Sequence, residues 1–274
     1  MVMKKLVMNA ERALLYEVVT TGKPGLVSLT DTGSHPDMDI YTFINSSLAL
    51  EPYFSQAELL GRQFSGTVWP DLFNQLRQAG ISAERVMLQA THGVNTHKGA
   101  IFALGLFVCA SSYTQTHGGD CYQIIQAMTQ GLLAHDLKNP LAGHTAGEQQ
   151  FVKYQLGGAR QAAEQGYGAV KRAVKFLETC QGSCQERILD TFMFLAGQVP
   201  DSTLVKRAGN PEVLVWLAAQ VTQFFALGGS RSCKGQDFLM NLNATFKAHH
   251  YSLGGCADLL ACTLFIALNE GKLA

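Results

Sequence analysis

Charge is scarce in this sequence, and neither sign is in excess. Lys plus Arg and Asp plus Glu stand at 21 each, which makes 15% of 274 residues, against about a quarter in an ordinary soluble chain. The balance excludes a global basic field, so no nucleic acid and no anionic membrane surface is expected as a partner. Long apolar runs are lacking too. The longest, Ala100 to Ala110, falls short of the roughly 20 residues a bilayer span requires. Near the start, Lys4 and Lys5 are followed by Asn9, Glu11 and Arg12, which interrupt the apolar centre a signal peptide would need. A soluble, cytoplasmic protein is expected. The seven cysteines are odd in number and scattered, and Cys180 and Cys184 have no second pair to complete a zinc site. Reduced, buried thiols are therefore expected rather than a disulfide framework. No repeat of fixed period and no proline-rich linker divides the chain.

Apolar residues, at 47%, suffice for a substantial core. Their spacing is helical almost throughout. Helices are expected near 9–20, 37–50, 54–79, 83–93, 97–113, 119–135, 145–165, 167–180, 184–197, 211–227, 234–248 and 256–270. Separators such as Thr21-Gly22-Lys23-Pro24-Gly25 and Lys138-Asn139-Pro140 lie between them. The fold class implied is all-α: one compact multi-helix domain over 1–274, with buried central helices.

Three polar clusters stand where this pattern does not favour them. In Gly33-Ser34-His35-Pro36-Asp37-Met38-Asp39, the acidic residues could serve a helix start. If the helix begins at residue 37, however, Asp37 shares a face with Ile40, Phe43, Ile44 and Ser47 and points inward. A buried carboxylate must then be satisfied by a cation or by donors. Asp39 lies at the edge of that stripe. In Gly93-Val94-Asn95-Thr96-His97-Lys98-Gly99, Asn95 or Thr96 can cap the apolar helix that follows. Lys98 would oppose that helix's dipole unless an anion such as phosphate sat there, so an anion site is expected. His97 reads either as a proton carrier or as a satisfied core histidine. In Leu253-Gly254-Gly255-Cys256-Ala257-Asp258, Asp258 falls on an apolar helix with no path to solvent, as a cap or as a ligand for Mg²⁺. Arg160 follows Gly157 and Gly158, and Arg207 follows Lys206. Carboxylates and cations among glycines are what a magnesium-bound polyphosphate needs.

These segments resemble the ATP:dephospho-CoA triphosphoribosyltransferase family, which serves citrate lyase and, in a related branch, malonate decarboxylase. The matching stretches are Lys23-Pro24-Gly25-Leu26-Val27, Gly33 to Asp39 with Phe43 and Ser46, and Gly93 to Phe102. Gly158-Ala159-Arg160, Gly166-Tyr167, Asp201 with Arg207 and Gly209, and Gly254 to Ala261 complete them. Departures occur at Ser28, Gln161, Ala162, Ala208, Leu253 and Cys256. No catalytic glutamate is carried onto Glu164, which reads as a surface residue. The resemblance implies that the 2′-hydroxyl of dephospho-CoA attacks the ribose C1′ of ATP, with adenine leaving and the triphosphate retained. It further implies Mg²⁺ as cofactor, held by Asp37, Asp39 and Asp258. Asp37, His35 and His97 are the implied acid–base residues. Lys23, Gly25, Asn95, Lys98, Gly99, Arg160, Arg207, Gly254 and Gly255 would contact substrate or phosphate. The product would pass to a separate transferase acting on an acyl carrier protein, and a homo-oligomer is compatible with this reading. The competing readings are a magnesium-dependent N-glycosidic hydrolase of nucleotides and a helical interaction protein without chemistry.

Overall fold

The computed structural model describes residues 3–137, 153–154 and 156–273. Much of the helix expected over 145–165, and the separator at 138–140, lie outside the described residues. Within them the structure is helical, without a β-strand.

Two helices form the centre, and their sequences show why. Helix α5 (Lys98–His117), the fifth along the chain, is apolar on every face, and its residues 103–112 are buried without interruption. The last helix, α14 (Gly254–Asn269), is buried from Leu259 through Leu268. An all-round apolar helix can only be an inside helix. The two pack against each other, and α1 (Met3–Val19) lies against both. Around α5 stand α3 (Glu51–Gln63), α4 (Trp69–Ala90) and α6 (Cys121–Met128), while α2 (Ile40–Ala49) packs on α1 and α4. Helix α3 approaches α5 closely because Gly61 has no side chain: a Cβ there would lie 2.0 Å from the Cys109 carbonyl oxygen. Around α14 stand α9 (Gly168–Thr179), α10 (Cys184–Gln198) and α11 (Ser202–Ala208). Short helices α7 (Leu132–Leu137) and α8 (Gly158–Glu164) pack together. Helix α12 (Val213–Ala226), a 3₁₀ turn (Gly229–Arg231) and α13 (Cys233–Ala248) close the remaining side. One continuous apolar core runs from Leu6 to Leu273.

Several expectations shift. Helix α2 starts at Ile40, not 37, because Asp39 takes the N-cap position: its side chain accepts from the Thr42 amide, 2.8 Å, and Thr42 answers in a capping box. Asp37 therefore lies in the preceding turn and is exposed, not inward-facing. The single helix expected over 54–79 is two, broken between Gln63 and Trp69, with Pro70 in the first turn of α4. The helix expected over 119–135 is likewise two, parted at Gly131, whose φ is +78°. Helix α11 is an addition, opened by Asp201 and closed by Gly209 in the left-handed conformation. All seven cysteines are free thiols; Cys109, Cys256 and Cys262 are buried as expected, whereas Cys184 and Cys233, at helix starts, are exposed. No described helix is long and apolar enough to cross a membrane.

Candidate active site where two buried helices begin

Helices α5 and α14 begin side by side, and Gly99 of the one meets Asp258 of the other at that junction. Asp258, in the second turn of α14, projects against the first turn of α5. It does so only because residue 99 is glycine: a Cβ there would lie 1.9 Å from Asp258 Oδ2. The Ala100 amide faces the carboxyl, so the positive end of α5 is met by an anion from the chain itself. Asp258 keeps part of its solvent-accessible surface, yet the surrounding protein desolvates it. That burial, with the nearby carboxyls of Glu17 and Asp201, holds its pKa well above the ordinary range.

Asp201 is the second carboxyl at the junction, and it is fully buried. It accepts from Thr203 N (2.8 Å) and Leu204 N (3.0 Å) at the start of α11, and from Cys256 N (2.7 Å) at the start of α14. One side chain thus caps two helices, and Gly255 leaves room for it. Burial still raises its pKa against these three donors. Glu17 on α1 is the third carboxyl. It forms a buried ion pair with Lys23, whose ammonium also donates to the Glu17 carbonyl. Burial pushes the Lys23 pKa down, and Glu17 opposes that shift. Lys23 is consequently an interior cation spent on Glu17.

Beside this junction the loop before α2 is tied to α11. Arg207 donates to the His250 carbonyl (2.8 Å), the Ser34 carbonyl (3.2 Å) and His35 Nδ1 (3.3 Å). A guanidinium only donates, so Nδ1 accepts and the proton sits on Nε2, 2.9 Å from Ser252 Oγ. Burial, then the Arg207 charge, lowers the His35 pKa, while Asp37 pulls it upward. The imidazole is neutral and oriented. Asp37 thus shares a field with His35 and Arg207 although it lies outside the core. Gly25 supports the same loop. It accepts from Ser34 N, its own amide donates to Asn243 Oδ1 at 2.9 Å, and its φ is +70°.

At the head of α5, His97 is buried. Thr96 Oγ1 donates to Ser46 Oγ (2.7 Å), which lies 2.7 Å from His97 Nδ1. That chain of hydroxyls leaves Nε2 as a buried atom without a partner. Burial lowers the His97 pKa to about 3, so it too is neutral. Asn95 caps the Lys98 amide at 3.2 Å. Lys98 turns outward to Glu84, 2.9 Å away. At this helix start, then, Asp258 meets the Ala100 amide and the exposed Lys98 rests on Glu84. Arg160 stands apart from the junction, sharing Asp136 with Arg77. Glu164 is no idle surface residue, since it accepts from the Gly131 and Leu133 amides.

The three carboxylates named for metal are not brought together. Asp39 is engaged by Thr42, Asp37 is exposed beside His35, and Asp258 lies against Gly99. Among the described residues no group of three or more His, Cys, Asp or Glu could hold a metal ion. The sequence reading missed Glu17, Ser46 and Ser252 as site residues. Glu17 was detectable: it follows Leu14 by three positions and precedes Val18, on the buried face of α1. Ser252 carried no signal of its own.

An all-helical protein with buried carboxyls, a neutral oriented histidine and a guanidinium at one junction has the equipment of general acid–base group transfer. The comparisons name the kind. Residues 3–274 match the family profile of the ATP:dephospho-CoA triphosphoribosyl transferases, and the chain belongs to that family. It is 44% identical to a probable 2-(5''-triphosphoribosyl)-3'-dephosphocoenzyme-A synthase of Lactiplantibacillus plantarum, over 99% of both chains. It is 43% identical to the protein CitXG of Leuconostoc mesenteroides subsp. cremoris, covering all of this chain and 61% of that one. A Vibrio cholerae protein with the same synthase name is 36% identical over 94% of this chain and 85% of its own. No solved structure matches.

Proposed function

We propose that the chain, working as one unit, transfers the triphosphoribosyl group of ATP to the 2′-hydroxyl of 3′-dephospho-CoA and releases adenine at the α5–α14 junction. The C1′–N9 bond of ATP breaks, a C1′–O2′ bond forms, the hydroxyl proton leaves to a base, and adenine departs with a proton supplied. The observation that carries this reading is Asp258: a desolvated carboxyl with a raised pKa, admitted by the missing side chain of Gly99. Such a group is costly to the fold and suited to donating a proton to a leaving base. His35, whose Nε2 proton faces Ser252, takes the hydroxyl proton at Nδ1 once Arg207 leaves that nitrogen for a phosphate oxygen. His97, with its Nδ1 engaged and its pKa near 3, serves better as a donor through Nε2 than as a base.

Lys98 can exchange Glu84 for a triphosphate, since an exposed pair contributes only about 0–1 kcal/mol. Lys23 cannot leave its buried pair without stranding Glu17. Magnesium belongs to this reading as the triphosphate's counter-ion. Asp37, exposed beside Arg207 and His35, fits the one or two carboxylates such an ion takes alongside phosphate oxygens; the described residues do not form a cage of three. The product's triphosphate would be the handle for a separate transferase that loads an acyl carrier protein of citrate lyase or malonate decarboxylase.

The test is incubation with ATP, with and without dephospho-CoA, following adenine by chromatography and the product by mass spectrometry. Adenine release that needs dephospho-CoA, with a product retaining three phosphates, is expected. Release that ignores dephospho-CoA would instead establish the hydrolase.

A further inference from the structure

A cavity of about 440 Å³ opens on the far side of the loop that carries His35, within the roughly 300–1,000 Å³ of small-molecule sites. Its walls are the 21–31 segment, α10, the 3₁₀ turn and α13. Their chemistry is specific in what it omits. Among the described residues no aromatic ring lines the cavity, so none of them stacks on a purine there. Among the described lining residues the one cation, Lys23, is consumed by Glu17, and the other charged groups are the carboxylates of Asp31 and Glu186. Asp31 is itself paired with Lys247 at 2.9 Å, so the described lining offers a triphosphate no unpaired cation. What remains is hydroxyl and amide side chains, among them Ser28, Thr30 and Gln236, beside the apolar Leu189, Leu239 and Met240. That combination fits an uncharged, flexible chain with alternating amide and methylene groups.

Lys23 is the wall between this cavity and the junction: it lines the cavity, and its ammonium meets Glu17, whose charge bears on Asp258. Asn243, a second lining residue, holds the Gly25 amide, and Gly25 in turn receives Ser34, next to His35. The loop therefore faces the cavity on one side and the reacting groups on the other. Resting on the transfer proposed above, we infer that this cavity is the subsite for the pantetheine arm of dephospho-CoA. The arm would be anchored there while the nucleotide end of the substrate reaches the junction.

Met240 is 65% exposed at the cavity, so Met240→Trp adds bulk without disturbing the core, and Gln236→Leu removes an amide. Two readouts apply. In turnover, the KM for dephospho-CoA should rise about tenfold in each variant, the size of one lost hydrogen bond or comparable contact. The KM for ATP, and that for ADP as an acceptor lacking the arm, should stay unchanged. In calorimetry without turnover, pantetheine itself should bind the unaltered protein and fail to bind Met240→Trp. An unchanged KM for dephospho-CoA in both variants, or no pantetheine binding, overturns the subsite and leaves the transfer intact. Pantetheine binding in a protein whose adenine release ignores dephospho-CoA would keep the cavity as a site for this class of ligand and remove the transfer.

Discussion

At Gly99 one hydrogen atom in place of a methyl group is what admits the Asp258 carboxyl to the first turn of α5. The Cβ of Gly99→Ala would meet Oδ2 at 1.9 Å and the carboxyl carbon at 2.8 Å, and neither helix can retreat from a packed core. The substitution should destabilise the protein by about 1–3 kcal/mol, the usual range for overpacking. Most of that loss should vanish in the Asp258→Ala background, where the obstructing atoms are gone. Chemical denaturation of the four proteins of this double-mutant cycle measures the coupling. Equal losses in both backgrounds would show that Gly99 serves the backbone and not the carboxyl. The contrast with Asp37 shows what a sequence can convey about such residues. Helical spacing places both aspartates inward. Asp258 lies within its helix, so the spacing held; Asp37 lies before its helix, where angular bookkeeping has no meaning. Asp39 took the cap, and the boundary moved by three residues.

Helix ends, more than helix interiors, separate what was legible from what was not. Helix α10 was expected over 184–197 and runs Cys184–Gln198. Its start is written in the sequence as a capping box, with Ser183 Oγ accepting from the Glu186 amide and the Glu186 carboxylate accepting from the Ser183 amide at 2.7 Å. Ser183→Ala should cost about 1 kcal/mol of stability and leave kcat unchanged, since the cap lies on an exposed turn away from Asp258; thermal denaturation paired with an adenine-release assay checks both halves. A large loss of turnover would mean that α10 positions the site through its own start. Helix α11 was missed because it is seven residues long, too short for apolar periodicity, although Asp201 and Gly209 marked both its ends. The break between α3 and α4 was passed over because apolar spacing continues through it. Trp69-Pro70 was the available sign. What no single element could reveal is the partner of each polar residue. That Lys98 meets Glu84 and Arg160 meets Asp136 depends on how separate helices pack, and Lys23 meets Glu17, six residues before it, through the path of the loop that leaves α1.

On the scale of the molecule, the two buried helices that carry the core also begin at the proposed site, so folding stability and the proposed chemistry both bear on Asp258. Its folded-state pKa is raised by burial and by neighbouring carboxyls, whereas in the unfolded chain it returns to about 3.9. The folded state therefore holds the proton more tightly than the unfolded state. By linkage, Asp258 costs nothing below the unfolded pKa, and stability falls as pH rises from there toward the folded pKa. Asn cannot ionise, so Asp258→Asn should escape this loss. The variant should match the parent at about pH 4 and exceed it at about pH 8, with the gap widening across the window. Turnover should move the opposite way, falling by about 10²–10⁴ if the carboxyl is the proton donor to adenine. ATP at a hundred times its dissociation constant should protect both proteins by about the same 2.7 kcal/mol, because a proton donor to the leaving group acts in the transition state and adds little to ground-state affinity. Thermal melts across pH, with and without ATP, alongside adenine release, separate the possibilities. A stability gap that does not change with pH would mean the carboxyl is solvated in the folded protein. Near-parental turnover in Asp258→Asn would leave it a purely structural group at the meeting of α5 and α14.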